Sequence, residues 1–350
     1  PRCQGQIAWS RRAPVSILAG HGDFNHRPNA NIPARTPNSV DVIYAANRPF
    51  GQYARLDGQL CAGQRAFSVY RVTIAQHLES VRTVSVRHCR SVPAGFRRCG
   101  DLGWRIGPVS VDIVHPFDGG SISDSAMFGS LVGLVDAGVI AGQRQFEDAA
   151  VQMIRSAAST EAGSWAAFYD NSITELRDGG SPFGPVHARA RSLVVGDSLL
   201  EVGSCFGFLA LQCAEDGFEV SACDISPGAV EHLRAAARRR QTPLRAVVGD
   251  ATDLPFDTDA VDTVTLIHLL EHLDEQATVR ALTEALRVAR RRVVVAVPFE
   301  EHPSEHFGHL IQLTLDDLAA WAGQVEHDGV ELFTHLGGWM VLTPVARRSV

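Results

Sequence analysis

Lysine is absent from this chain of 350 residues, so all 32 basic residues are arginine. With its many Ala, Gly and Val residues, this reports a GC-rich genome rather than a functional choice. The seven cysteines, Cys3, Cys61, Cys89, Cys99, Cys205, Cys213 and Cys223, include no Cys-x-x-Cys pair and no compact disulfide framework. Cys205, Cys213 and Cys223 fall in apolar patterns, where small buried thiols are ordinary. The sequence has no run of about 18 apolar residues to cross a membrane. Nor does any basic stretch lead into a signal-type apolar segment. A cytoplasmic protein without a membrane partner is expected. Positive charge is scarce outside the first 98 residues, which hold 14 Arg against 4 acidic residues; the net charge of −7 therefore leaves about −17 on the remainder. That balance argues against nucleic acid as a partner of the acidic part.

Also missing is Gly-x-Gly-x-x-Gly, the loop that seats a pyrophosphate on a helix N-terminus. Instead the chain reads Leu199-Leu200-Glu201-Val202-Gly203-Ser204-Cys205-Phe206-Gly207-Phe208, with Asp224 closing the next apolar run. This is a strand, a glycine turn and a helix. Gly203 and Gly207 let backbone approach a ligand where a Cβ would collide. Glu201 would repel a pyrophosphate and suits a ligand whose polar end is cationic. Asp224 falls where a second strand ends and a carboxylate can accept from ribose hydroxyls.

Glu-x-Gly-x-x-x-Gly followed by an acid at the end of strand two resembles motifs I and II of class I S-adenosylmethionine-dependent methyltransferases. Other landmarks follow in that family's order. Ile225-Ser226-Pro227 turns into a helix, with Ser226 as cap and Pro227 at its first position. Asp250 and Ala251 occupy the positions that take the adenine amino group in similar proteins. Residues 261–268 and 292–298 read as buried strands four and five, with 275–291 helical between them. Near the end, 330–333 and 339–342 flank a glycine turn. The resemblance implies an α/β fold: a doubly wound Rossmann-like seven-stranded sheet with a C-terminal antiparallel hairpin, preceded by a helical N-terminal extension. It also implies S-adenosyl-L-methionine as cofactor, held by Glu201, Gly203, Ser204, Gly207, Asp224, Ile225, Asp250, Ala251 and His268.

Composition divides the chain into three parts. Residues 1–98 are read as a basic extension, disordered or an artefact of a start assigned too far upstream, with a small folded domain as the alternative and 81–86 the patterned piece within it. Residues 99–185 are read as a small hairpin (102–106 with 109–114) and a helical cap at 123–137, 143–157 and 162–177. Residues 186–350 form the cofactor-binding core. In the third cap helix, Trp165, Phe168 and Tyr169 either pack the helix onto the sheet or lid the cofactor, with Tyr169 or Asp170 near the acceptor.

Two histidine clusters follow strands four and five. His268-Leu269-Leu270-Glu271-His272 matches a zinc-peptidase spacing, but its position after strand four assigns His268 and Glu271 to the methyl-transfer pocket and His272 to capping or packing. Phe299-Glu300-Glu301-His302-Pro303-Ser304-Glu305-His306-Phe307-Gly308-His309 follows strand five. It reads as a solvated loop, a general base, a hydrogen-bonding surface for a polar substrate, or a His and Glu metal site. A hydroxyl acceptor needs a base within reach, and His306 and His309, with His268, are the catalytic candidates; no metal ligands are assigned. Together with Trp165-Ala166-Ala167-Phe168-Tyr169-Asp170-Asn171 and Gly337-Gly338-Trp339, these motifs look like the mycofactocin oligosaccharide methyltransferases over residues 100–345. That resemblance implies O-methylation of a glucose unit on the oligosaccharide of that peptide-derived redox cofactor. Alternatives are a small-molecule O- or N-methyltransferase acting on a quinone or secondary metabolite, or a non-catalytic cofactor-binding regulator.

Overall fold

The computed structural model describes residues 82–346. Its centre is a seven-stranded sheet in the order β10-β11-β9-β8-β5-β6-β7. The strands are β5 (Ser198–Val202), β6 (Glu219–Asp224), β7 (Leu244–Val248), β8 (Val261–Ile267), β9 (Ala289–Val297), β10 (Gly329–Thr334) and β11 (Gly338–Thr343). β5 to β9 pair in parallel, whereas β11 runs antiparallel to both β9 and β10.

Alternation along the strands builds two separate cores. Leu199, Val220, Ala222, Val294 and Ala296 point to one face, and Leu200, Cys223, Val264, Val293 and Val295 to the other. Helices cover both faces, so β5, β8 and the end of β9 are buried as near-continuous apolar runs. The chain leaves β5 for β6 and β7 on one side, then crosses to β8 and β9 on the other. The C-terminal ends of β5 and β8 thus flank the topological switch, where open α/β sheets form their crevice.

Helices α1 (Asp124–Asp136), α2 (Gly142–Arg155), α3 (Glu161–Asp178) and α4 (Gly184–Leu193) precede this sheet; α5 (Phe208–Glu215), α6 (Pro227–Arg240), α7 (Glu275–Val288) and α8 (Leu315–Ala322) lie within it. Local chemistry sets their starts. Ser123, Thr160 and Asp274 accept from the backbone N–H three residues on, and Ser226 does so from Ala229 ahead of Pro227. Helix α7 ends at Val288 and β9 begins at Ala289, so the strand starts three residues earlier than expected.

The boundary placed at residue 98 requires correction. β1 (Thr83–His88) pairs in parallel with β4 (Ser110–His115), and β3 (Leu102–Ile106) and β2 (Arg97–Cys99) complete a four-stranded sheet. Residues 83–99 therefore belong with the folded part; 1–81 lie outside the described residues. The outer edge of β1 is closed by glutamines of α2: Gln152 accepts from the Val86 N–H and donates to the Val84 carbonyl, each at 3.0 Å. Side-chain amides thus satisfy backbone groups that an edge strand leaves open.

Candidate functional site

The β5–α5 loop is stapled to the end of β6. Gly203 and Ser204 donate their N–H groups to the Cys223 carbonyl at 2.8 and 3.1 Å. The Asp224 carboxylate accepts from the Cys205 N–H at 2.7 Å and the Ser226 N–H at 2.8 Å. Gly207 has φ +69°, and a Cβ there would meet the Leu233 side chain at 2.4 Å. The glycine turn therefore owes its shape to packing against α6 as well as to any ligand. Cys205 at φ +48° and His268 at φ +54° are left-handed without being glycine, a strain typical of functional turns.

Glu201, at the end of β5, accepts from the Ala210 N–H in the first turn of α5 at 2.9 Å. Burial pushes its carboxyl up to about 8; the Ala210 bond opposes this rise and the neighbouring Asp224 adds to it. Burial also raises Asp224, against the Ser226 and Cys205 N–H donors.

Glu201, Gly203, Ser204 and His268 line one cavity with Phe183, Val186, His187 and Ile267. Enclosed space in it is about 20 Å³, enough for a water but not a nucleoside. Ser204 Oγ is buried without a hydrogen-bond partner, a polar atom fit for a ligand's polar end. Beyond the Asp224 carboxylate the site opens: Ile225 and Val248, at the ends of adjacent strands β6 and β7, are 63% and 45% exposed. Apolar side chains left in solvent at a sheet's C-terminal edge suit a flat aromatic ring. Asp250 lies two residues beyond β7, where Oδ1 accepts from the Thr252 N–H and hydroxyl, each at 2.8 Å, and Ala251 is half-buried beside it.

The three catalytic candidates separate. His268 borders the cavity, whereas His306 and His309 do not. His306 is buried against Phe307 and Phe146, with ring centroids 3.9 and 5.6 Å apart. His309 has a fully buried side chain whose Nδ1 lies 2.6 Å from Glu300 Oε2. Neither is placed to meet an acceptor at that cavity. Asp170 is likewise occupied elsewhere: its carboxylate pairs with Arg239 and with Arg240 at 2.8 Å, tying α3 to α6. Trp165, Phe168 and Tyr169 pack around Phe206 and Phe208, and Trp165 stacks on His232 at 3.8 Å. Packing is thus their observed role, with the Tyr169 hydroxyl buried and unpartnered.

Sequence reasoning overlooked α4 and its cavity residues. Phe183 and Val186 wall the cavity, and His187 joins them with Nδ1 2.7 Å from Gln212. Burial lowers His187 to about 4, keeping it neutral. The available signal was Gly184-Pro185, a helix start with proline in its first turn.

Residues 200–297 match the family described as a methyltransferase domain. Over those residues the sheet order and glycine turn agree with a methyltransferase domain that uses S-adenosylmethionine. Among curated relatives, demethylmenaquinone methyltransferase of Beutenbergia cavernae is 35% identical over 133 residues, 35% of this chain and 51% of that protein. The Clavibacter sepedonicus protein of the same name is 34% identical over 126 residues, 35% and 49% of the two chains. The chain thus spans about half the length of the curated relatives it matches. A solved S-adenosylmethionine-dependent methyltransferase from Aquifex aeolicus is similar over 50% of this chain and 99% of its own, at 13% identity and TM-score 0.39. Among the described residues no helix is long and apolar enough to cross a membrane.

Proposed function

We propose that this protein transfers a methyl group from S-adenosylmethionine to a hydroxyl of a polar acceptor, a sugar unit of an oligosaccharide such as mycofactocin carries. The observation behind this reading is His268 in a strained turn after β8, sharing one cavity with Glu201, Gly203 and Ser204. Glu201, Gly203, Ser204 and Gly207 would hold the cofactor's methionine end, Asp224 its ribose hydroxyls, and Ile225, Asp250 and Ala251 its adenine. Enclosed space at the methionine end is small, so α4 or the turn after β8 shifts when the cofactor enters.

Bound cofactor supplies a methyl carbon made electrophilic by its sulfonium. The protein's own work is alignment and removal of water, which α4 and the apolar Phe183, Val186 and Ile267 provide. A sugar hydroxyl is a poor nucleophile, and His268 would accept its proton as it attacks the methyl group. A second reading, methylation of a quinone, draws support from the name shared by the curated relatives.

Mass spectrometry separates the two. The full chain is incubated with S-adenosylmethionine and either glycosylated mycofactocin extract or demethylmenaquinone, beside a boiled control. One added methyl mass on the oligosaccharide supports the first reading, and on the quinone the second. Neither gain, with cofactor binding confirmed by calorimetry, rejects both and leaves a cofactor-binding regulator.

A further inference from the structure

The fold closes the turn after β8 onto the loop after β9, and the two histidine clusters meet in a buried pocket. Glu271 is 1% exposed, and neither carboxylate oxygen has a hydrogen-bond partner. His309 Nε2 faces Glu271 Oε1 at 4.0 Å and is also without a hydrogen-bond partner. The His272 ring lies 5.0 Å, centroid to centroid, from that of His309. One ligand atom from each of Glu271, His272 and His309 falls within 4.8 Å of the others.

Glu300 supports this group from behind. It accepts from the Ser304 hydroxyl at 2.7 Å and the Ser304 N–H at 3.3 Å, and its Oε2 lies 2.6 Å from His309 Nδ1. Glu300 accepts a hydrogen bond from the His309 Nδ1–H, leaving the Nε2 lone pair aimed at Glu271. Glu271 and His309 Nε2 thus face each other in a buried pocket with neither satisfied, an arrangement that a cation held between them would relieve. The 4.0 Å gap is too long for a hydrogen bond. It is about twice a zinc–ligand bond of ~2.0–2.1 Å, and tetrahedral geometry requires this pair to close by about 0.7 Å. Two imidazoles and one carboxylate form a familiar zinc donor set, and a carboxylate behind a ligating histidine is its usual outer support.

We propose that Glu271, His272 and His309 bind one divalent cation of the zinc class, with Glu300 orienting His309, and that the ion pins the loop after β9 to the turn after β8. Phe307 of that loop stacks on Phe128 of α1 at 4.9 Å, so the ion would also fix how the cap meets the core. This site is independent of the acceptor's identity.

The test uses the untagged full chain, stripped by a chelator and titrated with Zn²⁺, then with Co²⁺ as a visible probe. Expected are one ion per chain, visible Co²⁺ d–d bands, and a thermal midpoint about 5 °C higher or more at 100-fold excess over Kd. Glu300→Gln weakens binding by about 10- to 100-fold. Glu271→Gln and His309→Ala lose the shift while circular dichroism shows them folded, and His302→Ala, an exposed residue of the same loop, keeps it. The wild-type titration stands alone should a variant not fold: absence of both the thermal shift and the Co²⁺ bands overturns the proposal. Undiminished binding in folded Glu271→Gln and His309→Ala overturns it equally, leaving a shared proton to explain the pocket.

Discussion

Glu201 sets how cofactor affinity depends on pH. In the free protein burial holds its carboxyl near 8, so at neutral pH it is largely protonated. A cationic methionine end beside it favours the ionised form, and binding then releases a proton, so affinity rises with pH until the free protein has itself ionised. With the bound form ionised throughout, Kd scales as 1 + 10^(8 − pH), a factor of about 33 at about pH 6.5 and about 1.3 at about pH 8.5. Binding should tighten about 25-fold across that interval. In Glu201→Gln this term is absent, so the variant should bind more weakly than wild type at about pH 6.5 and fall about 25-fold further behind by about pH 8.5. The cofactor's own amino group titrates in both proteins, so the ratio of the two Kd values isolates Glu201. Calorimetry in two buffers of different ionisation enthalpy should also count about one proton released per cofactor near pH 6.5. A Kd ratio that stays constant between the two pH values would refute the reasoning.

Other consequences concern stability. Between about pH 6.5 and pH 8 the metal-free protein should lose thermal stability: Glu201 and Glu271, raised above their unfolded values, hold protons in the folded state that the unfolded chain has released. The buried His115, His187 and His272, lowered to about 4, act in the opposite direction only below about pH 6.5. Melting curves of Glu201→Gln should show a shallower fall, and an unchanged slope would contradict its buried, protonated state. Gly207→Ala should cost about 1–3 kcal/mol, because a left-handed backbone and the Leu233 contact both oppose a Cβ; an unshifted melt would contradict that packing. Asp170→Asn should cost less than about 1 kcal/mol, as a half-exposed ion pair, and leave turnover within about twofold. A large loss of turnover would return Asp170 to the acceptor site.

The parts of the fold readable from sequence were those where local chemistry and period agreed. Ser123 and Ser226 marked helix starts, and the apolar runs of β5, β8 and β9 announced a buried parallel sheet. Glu201, Gly203, Ser204 and His268 share a cavity because they lie at the ends of adjacent strands β5 and β8, a neighbourhood set by sheet order. The patterned piece at 81–86 was not joined to the fold because six residues of alternation are a weak signal, and the partner of β1, β4, lies 27 positions away in a parallel register. The meeting of Glu271 and His272 with His309 was equally invisible: no spacing rule joins segments separated by a helix and a strand. His306 and His309 were polar residues in a loop by sequence, and only Phe128 and Phe146 of the cap, packed on Phe307, reveal that the loop is buried.

The central claim is methyl transfer assisted by His268 at the cavity after β5 and β8. Acceptor-dependent formation of S-adenosylhomocysteine by wild type and His268→Asn, with cofactor Kd measured on both, tests it most directly. The predicted result is turnover reduced by about 10²- to 10⁴-fold with Kd nearly unchanged. Full turnover in the folded variant would contradict the assignment.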